Sequence, residues 1–376
     1  MQLSALDENG KHVDWWFIYK ISSSSKSSTN AKPAGNEYLY YDNNYASKNK
    51  NLSLSQNKID GNSGALYKTM NQIEKQKSNP NGGWFFYNDE NPQGPSNYKN
   101  PNTKQGFKPD SLSTSRGHTK GVLAFDLATD SGFWLVHSTP KFSVPGKYVY
   151  PKAEQKYAQS MLCVSLKDAT TAMKIAQQMY AAQQPNVYAA SKIPTKLSKS
   201  TNDDRVLLMK NMVASAKTPF VSKIPFYSRK NQKFHAIAKN KSWGLDFYND
   251  LVGPTLHENL DVETWEHGKT PKSPDNDKIH HVIAMKTVDL SPLHIPFSWS
   301  EEKDHAKIAI SDKAEKTKWV CVGDINFTLS QEKRGGGTVA FQCNPLWKKL
   351  DVIFSTKNTK VKKTRTSKRK KKRSKK

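Results

Sequence analysis

The stretch HTKGVLAFDLATDSGFWLVH, residues 118–137, sets two apolar runs on either side of a turn, and its plan recurs further on as HAKIAISD followed by WVCVGDIN, within residues 305–326. In each copy a His-x-Lys triplet leads within two residues into a short apolar run. An aspartate then stands five or six residues after the lysine (Asp126, Asp312), and a Trp-bearing run follows. A plan repeated within one chain predicts two similar halves facing each other. In the first copy, Val122 to Phe125 and Phe133 to Val136 flank ATDSG, which predicts a β-hairpin with His118 and Lys120 at the entrance to its first strand.

The rest of the chain supplies both strands and helices. VDWWFIYKI, Val13 to Ile21, crowds aromatic and β-branched residues as a strand does, and WFFYND reads as another. Residues 22–62 are polar apart from EYLYYDNN and predict an excursion holding a strand or two. Residues 78–115 are broken by Pro, Gly and Asn into long loops of the kind found beside sites. Asp168 is placed to cap a helix through ATTAMKIAQQMYAAQQ, with Ala169, Met173, Ala176 and Tyr180 on its apolar stripe and Pro185 ending it. After a polar connector at 186–204, the apolar segments RVLLMKNMVA, HHVIAMKTVDL and WVCVGDI alternate with loops. The expected organisation is an N-terminal half at 1–190, a C-terminal half at 191–355 and a disordered tail at 356–376.

Charge narrows the partners. The chain of 376 residues carries a net charge of +26, of which 13 belong to Lys and Arg in TKNTKVKKTRTSKRKKKRSKK, a stretch with no acid. The body therefore keeps an excess of its own, which favours an anionic partner, nucleic acid or membrane surface. No segment approaches 18 consecutive apolar residues, so membrane insertion is not expected. Cys163, Cys321 and Cys343 lack the close spacing of a zinc site and read as buried thiols.

Three His-x-Lys triplets occur among ten histidines, whereas a chain in which about one residue in seven is lysine yields roughly one or two by chance. Context separates them. His267 lies in EHGKTPKSPD with no apolar run behind it and reads as a solvated loop. His118/Lys120 and His305/Lys307 each open an apolar run. Residues two apart in a strand share a face, so each pair projects its imidazole and ammonium together. Two such pairs face to face can hold a phosphodiester: the lysines offset phosphate charge, a neutral histidine attacks phosphorus, and a protonated one supplies the leaving oxygen with its proton. That chemistry calls for no metal or other cofactor. Asp126 and Asp312 either orient the imidazoles or close strand ends. His137 and Asn326, in comparable places of the two copies, read as supporting phosphate contacts or satisfied core groups. Arg334, Gly335, Gly336 and Gly337 in RGGGT offer a guanidinium and a backbone phosphate nest, or a plain glycine turn.

Taken in order, VDWWFIYKI, RGHTKGVLAFD, GFWLVHSTPKF, MLCVSL, DHAKIAISD, WVCVGDIN and RGGGT resemble the deoxyribonuclease II family from Val13 to about Leu350. The resemblance implies an α/β fold of two pseudo-symmetric phospholipase D-like halves, each a mixed sheet flanked by helices, around a shared cleft. It implies a metal-independent endonuclease on double-stranded DNA, favouring acid pH and leaving 3′-phosphate and 5′-hydroxyl ends. His118 would be the nucleophile that becomes phosphohistidine and His305 the general acid, or the two roles would be exchanged. A homodimer is left open. A catalytically silent DNA-binding protein on this fold is disfavoured by two intact His-Lys pairs, and a phospholipid phosphodiesterase by the polar loops around His118. The family's usual secretory or lysosomal residence and its disulfides are less well matched. MQLSALDENGKHVDWW has no apolar leader, Ala5 and Ala340 stand where family cysteines are expected, and the polybasic tail suits an intracellular, nuclear address. Cys343 is near enough to Cys321 in sequence for the resemblance to imply a shifted bridge between them.

Overall fold

The computed structural model describes residues 2–93, 98–143, 148–266, 268–271 and 280–356. His267 and all of the basic tail except Thr356 lie outside the described residues, as do the expectations attached to them.

Two large sheets dominate a mixed α and β architecture. Strands of the first are β1 (Trp15–Lys20), β2 (Tyr38–Asp42), β3 (Gly82–Tyr87), β4 (Gly121–Asp126), β5 (Ser131–His137), β6 (Gln159–Leu166) and β7 (Val187–Ala190). They lie side by side as β7-β3-β4-β5-β6-β1-β2, with the short strand Ser53–Leu54 at the edge. The second sheet holds β8 (Val221–Tyr227), β9 (Lys233–Lys239), β10 (Leu260–Thr264), β11 (Val282–Ala284), β12 (Lys307–Ser311), β13 (Trp319–Gly323) and β14 (Gly336–Gln342). Its spatial order is β8-β9-β14-β13-β12-β10-β11. The expectation of a mixed sheet in each half is corrected for the first sheet and holds for the second. The first sheet is antiparallel throughout, and the second contains a single parallel pair, β10 with β11. Short turns between successive central strands, such as ATDSG between β4 and β5, force antiparallel pairing where a parallel pair needs a long crossover.

The sheets pack face to face across one core. Trp15, Phe17 and Tyr19 of β1 and Leu123 and Phe125 of β4 point inward to meet Phe234 and Ala236 of β9, Ile308 and Ile310 of β12, Val320 and Val322 of β13, and Val339 and Phe341 of β14. The alternate residues, Trp16, Ile18, Val122 and Ala124, point outward to a second cluster with Leu66, Met70 and Ile73 of helix α1 (Gly64–Lys75). Both faces of β1 are therefore buried, which is why VDWWFIYKI is apolar without alternation. Trp15, Trp16 and Trp134 all serve this packing.

Helix α2 (Ala169–Gln178) begins where expected: the Asp168 side chain accepts from Thr171 N at 2.6 Å, and the chain leaves the following helical turn through left-handed Gln184, just before Pro185. Its buried stripe is rotated from the predicted one. Ala172, Ile175, Ala176 and Met179 enter the shared core, while Met173 and Tyr180 are half-buried. Helix α3 (Asp204–Met209) and helix α4 (Asn344–Asp351) close the same core with Val206, Leu208, Leu346 and Leu350.

All three cysteines are buried free thiols, so the Cys321–Cys343 bridge does not form. Cys321 pairs with Ala340 across β13 and β14, which leaves Cys343 three rungs away, about 10 Å and beyond the reach of a disulfide.

Candidate active site

The chain delivers one His-x-Lys triplet to the start of β4 and the other to the start of β12. His118 to Lys120 precede β4, which begins at Gly121, and Lys307 is the first residue of β12. Each approach is pinned to the opposite sheet at the backbone. His118 N donates to Gly335 O at 2.8 Å, just before β14, and His305 N donates to Ala158 O at 2.9 Å, just before β6. The result is one buried cluster of imidazoles and ammonium groups at the seam between the sheets, where each pair's lysine depresses the pKa of the other pair's histidine.

Around His118 the decisive groups are Asp89, Asp324 and Arg334. Asp89, two residues past β3, takes an ion pair from the Lys120 ammonium, lies 3.7 Å from His118 Nε2, and accepts from Arg334 at 3.2 Å. Burial alone would raise its pKa, but Lys120, His118 and Arg334 together hold the carboxyl well below the usual range. His118 Nδ1 lies 2.6 Å from the carbonyl oxygen of Asp324. A carbonyl only accepts, so the ring proton sits on Nδ1 and Nε2 keeps a free lone pair. Burial, then Lys120, pushes His118 well below its ordinary pKa, which keeps that lone pair unprotonated. The Asp324 carboxylate meanwhile accepts from Lys120 N at 3.1 Å, and burial pushes its pKa up to about 8.

The surroundings of His305 differ. Its Nδ1 is 3.5 Å from Glu154, its ring stacks on Tyr157 at 3.9 Å between centroids, and Trp265 lies 4.4 Å away on a tilt. Nε2 is buried without a hydrogen-bond partner. Burial, then Lys307 and Lys120, draws this histidine down to about 2. Lys307 donates to the His305 carbonyl at 2.5 Å, its backbone N–H donates to Ser160 Oγ at 3.1 Å, and burial followed by Lys120 brings it to about 7.

Several expectations change at this point. Asp126 and Asp312 sit at the far ends of the strands from the pairs. Asp126 accepts from Ala128 N, Thr129 N and Asn79, and Asp312 accepts from Ala314 N, so both cap turns and neither orients an imidazole. Gly335 to Gly337 do not form a nest: none has positive φ, and two of them open β14. Close packing explains these glycines, since a Cβ at Gly336 would lie 2.3 Å from Ile325 and one at Gly337 would lie 2.7 Å from Ile237 O. The motif meets the cluster through the Arg334 side chain on Asp89 and through the Gly335 carbonyl that holds His118 N. His137 and Asn326 are not equivalent either. Gly121 pairs with Val136 and Ile308 with Val322, so His137 answers to Gly323, and Asn326 lies beyond. His137 is buried against Phe142 and donates its backbone N–H to Lys120 O at 3.2 Å, while Asn326 is buried with its Oδ1 unpartnered. Asp89, Asp324, Glu154 and Tyr157 were not singled out from the sequence, because each is a lone residue in a loop or strand end with no spacing to mark it.

Residues 4–360 match the family model for deoxyribonuclease II. The chain is 41% identical over 350 residues to the putative deoxyribonuclease-2 of Burkholderia pseudomallei (strain K96243), covering 93% of this chain and 92% of that protein. It is 33% identical over 368 residues to the deoxyribonuclease-2 of Caenorhabditis elegans, covering 94% and 93%. With the deoxyribonuclease-2-beta of Mus musculus it shares 29% identity over 358 residues, covering 94% and 91%. A match of this extent, to the family model and to relatives along almost their full lengths, means that the chain belongs to the deoxyribonuclease II family of hydrolytic nucleases.

Proposed function

We propose that this protein is an endonuclease that cleaves double-stranded DNA without a metal ion, through a phosphohistidine on His118 and with His305 as the acid. The observation that carries the reading is the His118 tautomer: a neutral ring, its Nδ1–H given to the Asp324 carbonyl, leaves Nε2 as a nucleophile inside a cluster of lysines. Nε2 attacks phosphorus, the P–O5′ bond breaks, and O5′ takes the proton of His305. Water then attacks the phosphohistidine and gives a proton to His305. The N–P bond breaks, its electron pair returns to Nε2, and a 3′-phosphate leaves. Lys120 and Lys307 offset the charge of the five-coordinate phosphorus. Glu154 beside His305, and Arg334 with Asp89 beside His118, favour this allocation of roles over the exchanged one.

The repeat supports a chain of two related halves, 1–190 and 191–355, followed by the basic tail. In chain order β1, β3, β4, β5 and β6 occupy the spatial order β3-β4-β5-β6-β1, and β9, β10, β12, β13 and β14 occupy the same order as β10-β12-β13-β14-β9.

Acid pH should favour cleavage, because His305, drawn to about 2 by burial and then by Lys307, Lys120, Lys20 and Lys156, must gain a proton that only a phosphate anion among those lysines makes affordable. The test is supercoiled plasmid incubated with the protein in EDTA between pH 4 and 8. Nicking that falls as pH rises is expected, together with a loss of at least about 1,000-fold in His118→Ala. Intact plasmid at every pH would overturn the nuclease reading, and undiminished nicking by the variant would overturn the site.

A further inference from the structure

Two lysines with no part in the mechanism above are buried in the two large sheets. Lys20 ends β1 and Lys239 ends β9, and both are fully buried. Their places correspond rung for rung: Lys20 pairs with Gln159, the first residue of β6, and Lys239 pairs with Gly336, the first residue of β14. Each ammonium donates to three backbone carbonyls. Lys20 takes those of Ile21, Gly35 and Gln155 at 3.1, 2.9 and 2.9 Å. Lys239 takes those of Gln331, Glu332 and Arg334 at 2.9, 2.8 and 2.7 Å.

All three carbonyls on Lys239 belong to one loop, and of those on Lys20 the carbonyl of Gln155 belongs to the corresponding loop, while Ile21 and Gly35 lie beyond β1. The 3₁₀ turn Lys152–Lys156 runs into β6 and the 3₁₀ turn Leu329–Lys333 runs into β14. The first carries Glu154 across to His305 of the second sheet, and the second carries Arg334 across to Asp89, the partner of His118 and Lys120 in the first. Gln159 steadies the first loop further, donating to Glu154 at 3.0 Å. Burying an ammonium is costly, and a methionine would fill the same space without that cost. Burial lowers Lys20 to about 7, against the upward pull of Glu154, Asp304, Glu37 and Asp60, and lowers Lys239 to about 8, against Asp246 and Glu332. What a lysine does and a methionine does not is gather three carbonyls around a single point, which ties Gln155, next to Glu154, to the segments at Ile21 and Gly35, and ties the loop before Arg334 to itself.

We propose that Lys20 and Lys239 are positioning residues, which lock the two crossing loops and so hold Glu154 against His305 and Arg334 against the Asp89–His118 pair. The proposal rests on the nuclease reading and on its matched halves. Because each lysine acts through one named side chain, its loss and the loss of that side chain should not add.

The experiment is a pair of double-mutant cycles on plasmid nicking in EDTA: Lys20→Met with Glu154→Gln, and Lys239→Met with Arg334→Gln. Near-ultraviolet circular dichroism and thermal melting serve as the check on folding. We expect each single variant to lower kcat roughly 10-fold and each double variant to be no slower than its slower parent, with KM for Lys20→Met within about 2-fold of the unaltered protein. Additive losses, near 100-fold in the doubles, would overturn the proposal, and so would failure of both methionine variants to fold, since the lysines would then serve the fold alone. If the unaltered protein leaves plasmid intact, the nuclease reading falls. Additivity in a protein that does nick sinks the lysine anchors alone.

Discussion

His118 and His305 have the same residue type, the same backbone tether to the opposite sheet and a lysine two positions on, yet they differ in the charge placed beside them. The sequence marks both because each opens an apolar run. It does not mark Asp89 or Asp324, because a carboxylate acquires its role from burial against Lys120, and that contact joins residues 31 and 204 positions apart. Glu263 is a further case in which burial decides the chemistry. It lies on β10 with both carboxylate oxygens buried and unpartnered, and burial followed by Asp304 raises its pKa well above the ordinary glutamate range. A carboxyl raised in the folded state keeps its proton there while the unfolded chain releases it, so its contribution is fully present below about pH 4 and is lost as pH rises. Glu263→Gln, which keeps the shape and cannot ionise, should therefore gain stability relative to the unaltered protein between pH 5 and 8, by about 1.4 kcal/mol per pH unit at most. Chemical denaturation of both proteins at pH 5, 6.5 and 8 reads the difference, and a gap that stays constant with pH would refute the protonated assignment.

At the scale of elements, the hairpin β4–β5, the strand β1 and the capped helix α2 were legible because each is specified by neighbours in sequence: apolar runs, a turn and an N-cap aspartate. The pairing of sheets and the face that α2 buries were not legible, because they depend on residues far away in the chain. GHTKG shows both levels at once. The glycines at its ends are needed for close approach, and nothing local reveals what approaches them. A Cβ on Gly121 would lie 2.3 Å from Leu135 O on the paired strand, and one on Gly117 would lie 1.9 Å from Gln183 O, in the turn that follows α2. Because both clashes are with backbone, relief requires moving an element. Gly117→Ala should push the His118 segment off Gln183, cost about 1–3 kcal/mol and weaken the Gly335 tether that sets the histidine. Thermal melting combined with plasmid nicking checks this. A variant with unchanged melting temperature and unchanged kcat would show that the approach is slack.

For the whole molecule the governing quantity is charge. The excess of +26 is split evenly between the body and the residues from Thr356 onward, and no helix among the described residues is long and apolar enough to cross a membrane. If the substrate is DNA, the two shares do different work. The proposed chemistry belongs to the cluster at the sheet seam, whose lysines are buried and tied to carboxylates and carbonyls, so they add little to long-range attraction. The basic residues beyond Thr356 can gain affinity by releasing counterions from phosphates. Ending the chain at Thr356 should then leave kcat on saturating plasmid within about 2-fold while raising KM, and the rise should shrink as salt increases. In a plot of log KM against log salt, each phosphate no longer contacted takes about 0.9 off the slope, so a tail that engages four or five phosphates would flatten it by roughly four units. Steady-state nicking at 25 to 200 mM salt in EDTA measures both quantities. A shortened protein with the original slope would show that the tail takes no part in holding DNA, and one with a lowered kcat would show that it reaches the reacting phosphate.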